Sequence, residues 1–326
     1  MITAKNYAAQ AERALGVYVV KARQAGVATE GELSFFEDNF IKQIPKAVHF
    51  ALPDNGELLQ DGLRGLKGVE LHLPFPSVTI EYFVSEGRFA GIATEHSPRR
   101  LALARELPTS TIVEWASSHH VSADRYQRFT DDTSILILVA FEVQGMWIPS
   151  SFGFVMGKEW DRVTENTQMA PSEFVRGKDQ ALFTGQLFPL MPTSIEFTGR
   201  THGMEILQKS AFNDIAGEVN TLLSMCEALV CSNVGTEDLQ TGDPKVNARR
   251  AQNKKLPIYT TKILTINTKE GGKKSGDYTP GSGTSPRQHL RRGHIRRLQS
   301  GEKIWVNSCV VGDRENGFIE KSYRVK

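Results

Sequence analysis

The sequence predicts an α+β protein. N-terminal helices come first, then a mostly antiparallel sheet packed by one long helix, then a small basic β module at the C-terminus. Three observations carry this. Residues 4–26 are Ala-rich, with charged residues on one helical face. The middle of the chain holds apolar runs that alternate or are rich in β-branched residues, as strands require. The stretch "GMEILQKSAFNDIAGEVNTLLSMCEALVCSNV" places Ile206, Phe212, Ile215, Val219, Leu222 and Leu223 near a 3.6-residue period.

In chain order, a helix over residues 4–26 has Lys5, Glu12, Arg13, Lys21 and Arg23 for its wet face. A second follows in "TEGELSFFEDNFIKQIPKAV", capped by Thr29 or Ser34 and stopped by Pro45. "GVELHLPFPSVTIEYFV" reads as two strands around a bend, and "RLALARELP" as a short helix ended by Pro108. "STIVEWASSHHVSA", "SILILVAFEVQGMWIPSSFGFVMG" and "SIEFTGR" continue the strand pattern, with turns at "VQG" and "PSSFG". The long helix then closes an α+β body over residues 1–232. Residues 233–256 are polar and basic and read as a linker. Residues 257–326 read as the small β module, with "PIYTTKILTINT" as its first strand and a mobile loop at 269–284.

Charge divides the chain. Residues 1–244 hold 20 Lys+Arg against 31 Asp+Glu, while residues 245–303 hold 15 against 3. An acidic body carrying a strongly basic segment points to a polyanionic partner, or to a basic tail docked on an acidic surface.

The basic segment centres on "SPRQHLRRGHIRRLQSGEKIWV", residues 285–306. Arg287, Arg291, Arg292, Arg296 and Arg297 offer fork-shaped donors suited to phosphate oxygens. Lys254, Lys255, Lys273 and Lys274 extend the positive field, and Trp305 and Tyr278 are stacking platforms for unpaired bases. These residues predict binding of nucleic acid, RNA or single strands, with Arg291, Arg292, Arg296 and Arg297 carrying most of the affinity. His289 and His294 admit a second reading, metal-independent RNA cleavage with one histidine as base and the other as acid. The spacing sets a condition on it. Five residues put the two histidines on opposite faces of a strand and roughly 140° apart on a helix. A bulge at Gly293 would add one residue and bring both to one face. A third reading is protein–protein: the tail docks on an acidic face of a host or virion protein.

Other chemistry is poorly supported. From Lys245 to Lys303 only Glu270, Asp277 and Glu302 are acidic, too few for two-metal cleavage, and no metal site or cofactor is expected. "GGKKSG" lacks the spacing of a P-loop. "SSHHVSADRYQR", with His119, His120 and Asp124, and "ATEHSPRR", with Glu95 and His96, read as loops or turns. The three cysteines, Cys226, Cys231 and Cys309, suit a reducing compartment, with the first two as core residues. No signal peptide is evident, and the longest apolar run, Ile135–Phe141, is far too short to span a membrane. A cytoplasmic protein without membrane contact is expected.

The tail "GTSPRQHLRRGHIRRLQSGEKIWVNSCVVG" resembles the C-terminal segment of a group of uncharacterised proteins of tailed bacteriophages and prophages, where a Ser-Pro-Arg…His…Arg-Arg-Gly-His…Arg run precedes a Trp-bearing strand. "FALPDNGELLQDGLRGLKGVELHLPFPSVTIEY" is similar to their N-terminal part. The resemblance implies a viral or prophage gene acting in a bacterial host cell; it brings no activity with it. In residue types alone, the histidines and arginines also resemble those of small toxin-type ribonuclease folds.

Overall fold

The computed structural model describes residues 5–56, 58, 71–84, 98–119, 132–162, 181–266, 287–291, 294–306, 309–311 and 313–318. It is an α+β fold built on a nine-stranded sheet buried on both faces.

The chain opens with helix α1 (Tyr7–Ala25). Helix α2 (Glu30–Asn39) follows, and Thr29 and Glu32 cap it reciprocally. Glu32 does more: its other oxygen accepts the backbone N–H of Thr193 at 2.7 Å, so one buried carboxylate serves two helix starts. Pro45 does not stop α2; it sits within a 3-10 run, Ile41–Lys46, beyond the helix end.

Strands β1 (Val48–Ala51), β2 (Ser77–Phe83) and β3 (Arg99–Pro108) begin the sheet. Helix α3 (Thr109–Ser118) follows, then β4 (Thr133–Val143), β5 (Met146–Pro149), β6 (Phe152–Arg162) and β7 (Ala181–Pro189). Helix α4 (Pro192–His202) leads into the long helix α5 (Met204–Leu229). Strand β8 (Val234–Gln240), helix α6 (Pro244–Gln252) and strand β9 (Thr261–Ile266) complete the body. The sheet order is β7-β6-β4-β3-β2-β1-β9-β8, with β5 paired to β4. All pairs are antiparallel except β1 with β2 and β1 with β9.

Alternation explains the two buried faces. In β4, Ile135, Ile137 and Val139 pack on the α5 side, with Val219, Leu222 and Leu223. Leu136, Leu138 and Ala140 pack on the other side, with Leu15 of α1, Phe36 of α2 and Ile112 of α3. A strand covered on both faces reads as a continuous apolar run, which is the origin of "SILILVAF". The β4–β5 turn uses Gln144 and Gly145, both at positive φ (51° and 83°), as a tight hairpin needs.

Several expectations are corrected. "RLALARELP" is strand β3, not a helix: Leu101 and Leu103 face α1–α3 while Ala102 and Ala104 face α5, and burial on both sides overrides the helix propensity of Leu and Ala. "STIVEWASS" is helix α3 and "SIEFTGR" lies in α4, so β-branched content misled there. The residue 233–256 stretch is no linker; it carries β8 and α6. Nor does β9 open a separate module. It pairs with β1 through His49↔Thr261 and Phe50↔Lys262, so the body sheet runs past residue 232.

Beyond the body lie β10 (Arg287–Arg291), β11 (His294–Arg297), β12 (Lys303–Val306), β13 (Cys309–Val311) and β14 (Asp313–Phe318). The described parts of the arginine-rich stretch form strands β10 and β11. The loop expected at 269–284 lies outside the described residues. Among the described residues, no helix is long and apolar enough to cross a membrane.

Candidate functional site

Strands β10 to β13 form two ladders whose registers place the described parts of the basic motif. β10 pairs antiparallel with β13, from His289↔Val311 to Arg291↔Cys309. β11 pairs antiparallel with β12, from His294↔Val306 to Arg297↔Lys303. β11 and β12 form a hairpin of their own, while β10 and β13 belong to a separate sheet with β14. Residues 292–293 and 307–308, between the two ladders, lie outside the described residues. β10 also pairs with β14, with Arg287 opposite Asp313.

The turn that closes the hairpin is well specified. Gly301 donates its N–H to the Leu298 carbonyl at 3.0 Å, and Leu298 donates to the Glu302 carbonyl at 2.7 Å. Gly301 has φ +86°, a left-handed value open to glycine at no steric cost. "LQSGEK" is thus a three-residue hairpin loop whose glycine was a readable signal. The hairpin is anchored to the body where Ser232, after α5, donates its N–H to the Lys303 carbonyl at 2.9 Å.

Strand parity sorts the motif. In the first ladder His289 and Arg291 share one parity, with Val311 and Cys309 opposite them. In the second, Arg297 shares one parity with Lys303 opposite it and with Trp305, opposite Ile295. His294 and Arg296 have the other parity, with Ile304 and Val306 opposite them. The expected bulge at Gly293, on which the shared acid–base site of His289 and His294 depends, lies outside the described residues. One pairing is unusual: Arg297 sits directly opposite Lys303, and like charges opposed in a ladder destabilise it unless an anion lies between them. Arg296 is exposed. Arg292, Gly293, Lys273, Lys274 and Tyr278 lie outside the described residues, as do the side chains of Arg287, His289, Arg291, His294, Arg297 and Trp305.

Sequence reading missed an ordered cationic element, α6. Its signals were present: Asp243 as a capping residue followed by Pro244 at the first helical position. Asp243 accepts the N–H groups of Lys245 at 2.7 Å and Val246 at 3.2 Å.

The body offers a second polar cluster, at the junction of β1, β2 and α1. His49 is buried, its Nδ1 is 2.6 Å from the Thr79 hydroxyl, and its ring stacks on Tyr259 with centroids 4.5 Å apart. Burial pushes the His49 imidazole down to about 4. The Tyr259 hydroxyl donates to Glu12, and burial raises its pKa, as does that bond. These contacts make the cluster a structural tie between α1 and the sheet.

Other candidates resolve likewise. His119 ends α3, stacks on Trp115 and lies 2.8 Å from the Ser118 hydroxyl. Cys226 and Cys231 are buried thiols, with burial raising them to about 12 and about 11, so neither is a nucleophile at neutral pH. His120, Asp124, Glu95 and His96 lie outside the described residues. Among the described residues no cluster of His, Cys, Asp or Glu could hold a metal ion.

Comparison with known proteins finds no matching family model, no matching curated protein and no matching solved structure.

Proposed function

We propose that the chain binds nucleic acid, RNA or single strands, through the basic paired strands β10 to β13. The observation that carries this reading is the β11–β12 register. It gathers Arg297, Lys303 and Trp305 at positions of one parity, and it opposes Arg297 to Lys303 directly. Cations so placed suit phosphate oxygens, and an indole among them suits a stacked base, worth about 1–3 kcal/mol when used. The charge split between body and tail supports the same reading. The tail's resemblance to phage and prophage proteins supports a phage-encoded setting in a bacterial cytoplasm.

The test is binding of labelled RNA to the full-length protein in EDTA across a salt series. Binding that weakens steeply with salt, with the RNA left intact, is expected. Cleavage that disappears in His294→Ala while binding persists would replace this reading with the ribonuclease. A stoichiometric protein partner that co-purifies after nuclease treatment, with no RNA bound, would replace it with protein docking.

A further inference from the structure

Helix α6 and the two lysines after it form the most cationic ordered segment of the body. Residues 244–255 hold Lys245, Arg249, Arg250, Lys254 and Lys255 and not one acid. Among the described residues none of the five forms an ion pair with a carboxylate. Lys245, Arg249, Lys254 and Lys255 are exposed.

Such a segment has little reason to be helical. Nine residues are too few for a helix to persist alone, and Lys245 and Arg249 repel at i,i+4. Apolar packing does not hold it either, since none of its residues is buried. Polar latches do. Asp243 caps its start. Asn247 and Ile258 exchange two hydrogen bonds of 2.8 Å. The Arg250 guanidinium donates to the Leu256 carbonyl at 2.6 Å, and the Lys255 N–H donates to the Arg250 carbonyl at 2.8 Å. The latches draw on Asn247 and Arg250 and leave Lys245, Arg249, Lys254 and Lys255 facing solvent. The result is a rigid cationic surface whose ordering cost is met before any partner arrives.

Its position fits the hairpin. Ser232 holds Lys303 just before β8, and α6 follows the far end of β8. β8 has seven residues and is the sheet's edge strand, so the two cationic elements flank an edge about 20 Å long. That length corresponds to about six phosphates of a strand held in duplex-like spacing. Of the two acids on β8, Asp238 is paired with Lys262 at 2.6 Å, and Glu237 is exposed.

We infer that α6 with Lys254 and Lys255 is a second phosphate-binding element, which takes the backbone of the same nucleic acid strand without reading its bases. This rests on the proposed function above.

The test uses full-length protein, a labelled mixed-sequence single strand and a salt series. The variant is Lys245→Gln with Arg249→Gln and Lys254→Gln, all exposed and outside the latches. Its slope of log affinity against log salt should fall by about 2, at roughly 0.7 for each phosphate of a single strand that is no longer neutralised. Arg249→Lys should keep the wild-type slope. An unchanged slope in the triple variant, with the wild type binding normally, overturns the α6 element and leaves the hairpin reading standing. A wild type that binds no strand even at low salt overturns both. Binding of polyglutamate but not of the strand overturns both as well, in favour of an acidic protein partner. An unchanged thermal midpoint in the variant excludes misfolding as the cause of any loss.

Discussion

Asn247 and Ile258 exchange two hydrogen bonds, side-chain N–H to carbonyl and backbone N–H to side-chain oxygen, each 2.8 Å long. An asparagine amide thus fills the place of a strand partner and holds a helix that no buried apolar side chain holds. Asn247→Ala should free α6 with little effect on the body, costing about 1 kcal/mol of global stability. Trypsin should then cut at Arg249, Arg250 and Lys254 well before the rest of the chain opens. Equal protection in wild type and variant would show that the latch does not hold the helix.

The hairpin register makes a prediction that composition cannot. Arg297 shares a parity with Lys303 opposite it, and Arg296 has the other. If the face holding Arg297 and Lys303 meets phosphate, Arg297→Ala should reduce the salt slope by about 0.7. Arg296→Ala should reduce it less. Equal effects at both positions, as expected of a flexible cationic tail, would mean that the ladder does not present the arginines to the strand.

How much was legible beforehand depended on which force decides each element. The body of α1, the capped α2, the long α5 and the "VQG" hairpin rest on local signals of spacing, capping and turn chemistry, and sequence carried them. β3 and α3 did not obey local preference. Leu101 to Ala104 form a strand because helices cover both faces of the sheet, a fact that no short window contains. The parallel pairing of β9 with β1 joins His49 to Thr261, a pairing far too distant in sequence for periodicity to foresee. At the candidate site, residue types carried the expectation of an anionic partner, but the opposition of Arg297 to Lys303 needed the register.

His49 makes stability depend on pH with a definite sign. Its ring is neutral in the fold, with burial holding it near 4, while an unfolded histidine titrates near 6.5. The unfolded chain therefore binds the proton first. The contribution is complete above 6.5 and drains away as pH falls toward 4, reaching about 3 kcal/mol. The neighbouring Glu81, pushed up by burial, acts in the opposite direction, so the comparison must isolate His49. Urea midpoints of wild type and His49→Gln should converge between neutral pH and pH 4, since the variant lacks the titration. Parallel curves over that interval would show that the imidazole is not desolvated.

Glu81 also sets the strength of the tie between the first helix and the sheet. The residue before α1, Asn6, is left-handed and gives no side-chain cap; its amide donates instead to the Pro257 carbonyl. The Glu81 carboxylate, reaching from β2, accepts the N–H groups of Lys5 at 3.2 Å, Tyr7 at 2.8 Å and Ala8 at 3.2 Å. Burial raises its carboxyl, and the N–H groups at the positive end of the helix oppose that rise. Glu81→Ala would leave buried N–H groups without an acceptor and should cost about 3 kcal/mol or more. Glu81→Gln keeps one acceptor oxygen and gives up the charge, so about half that loss is expected. Urea unfolding followed by far-ultraviolet circular dichroism measures both. Equal losses would mean that the charge, not the acceptor, holds α1 in place; no loss in either would mean that α1 packs on the sheet without its cap.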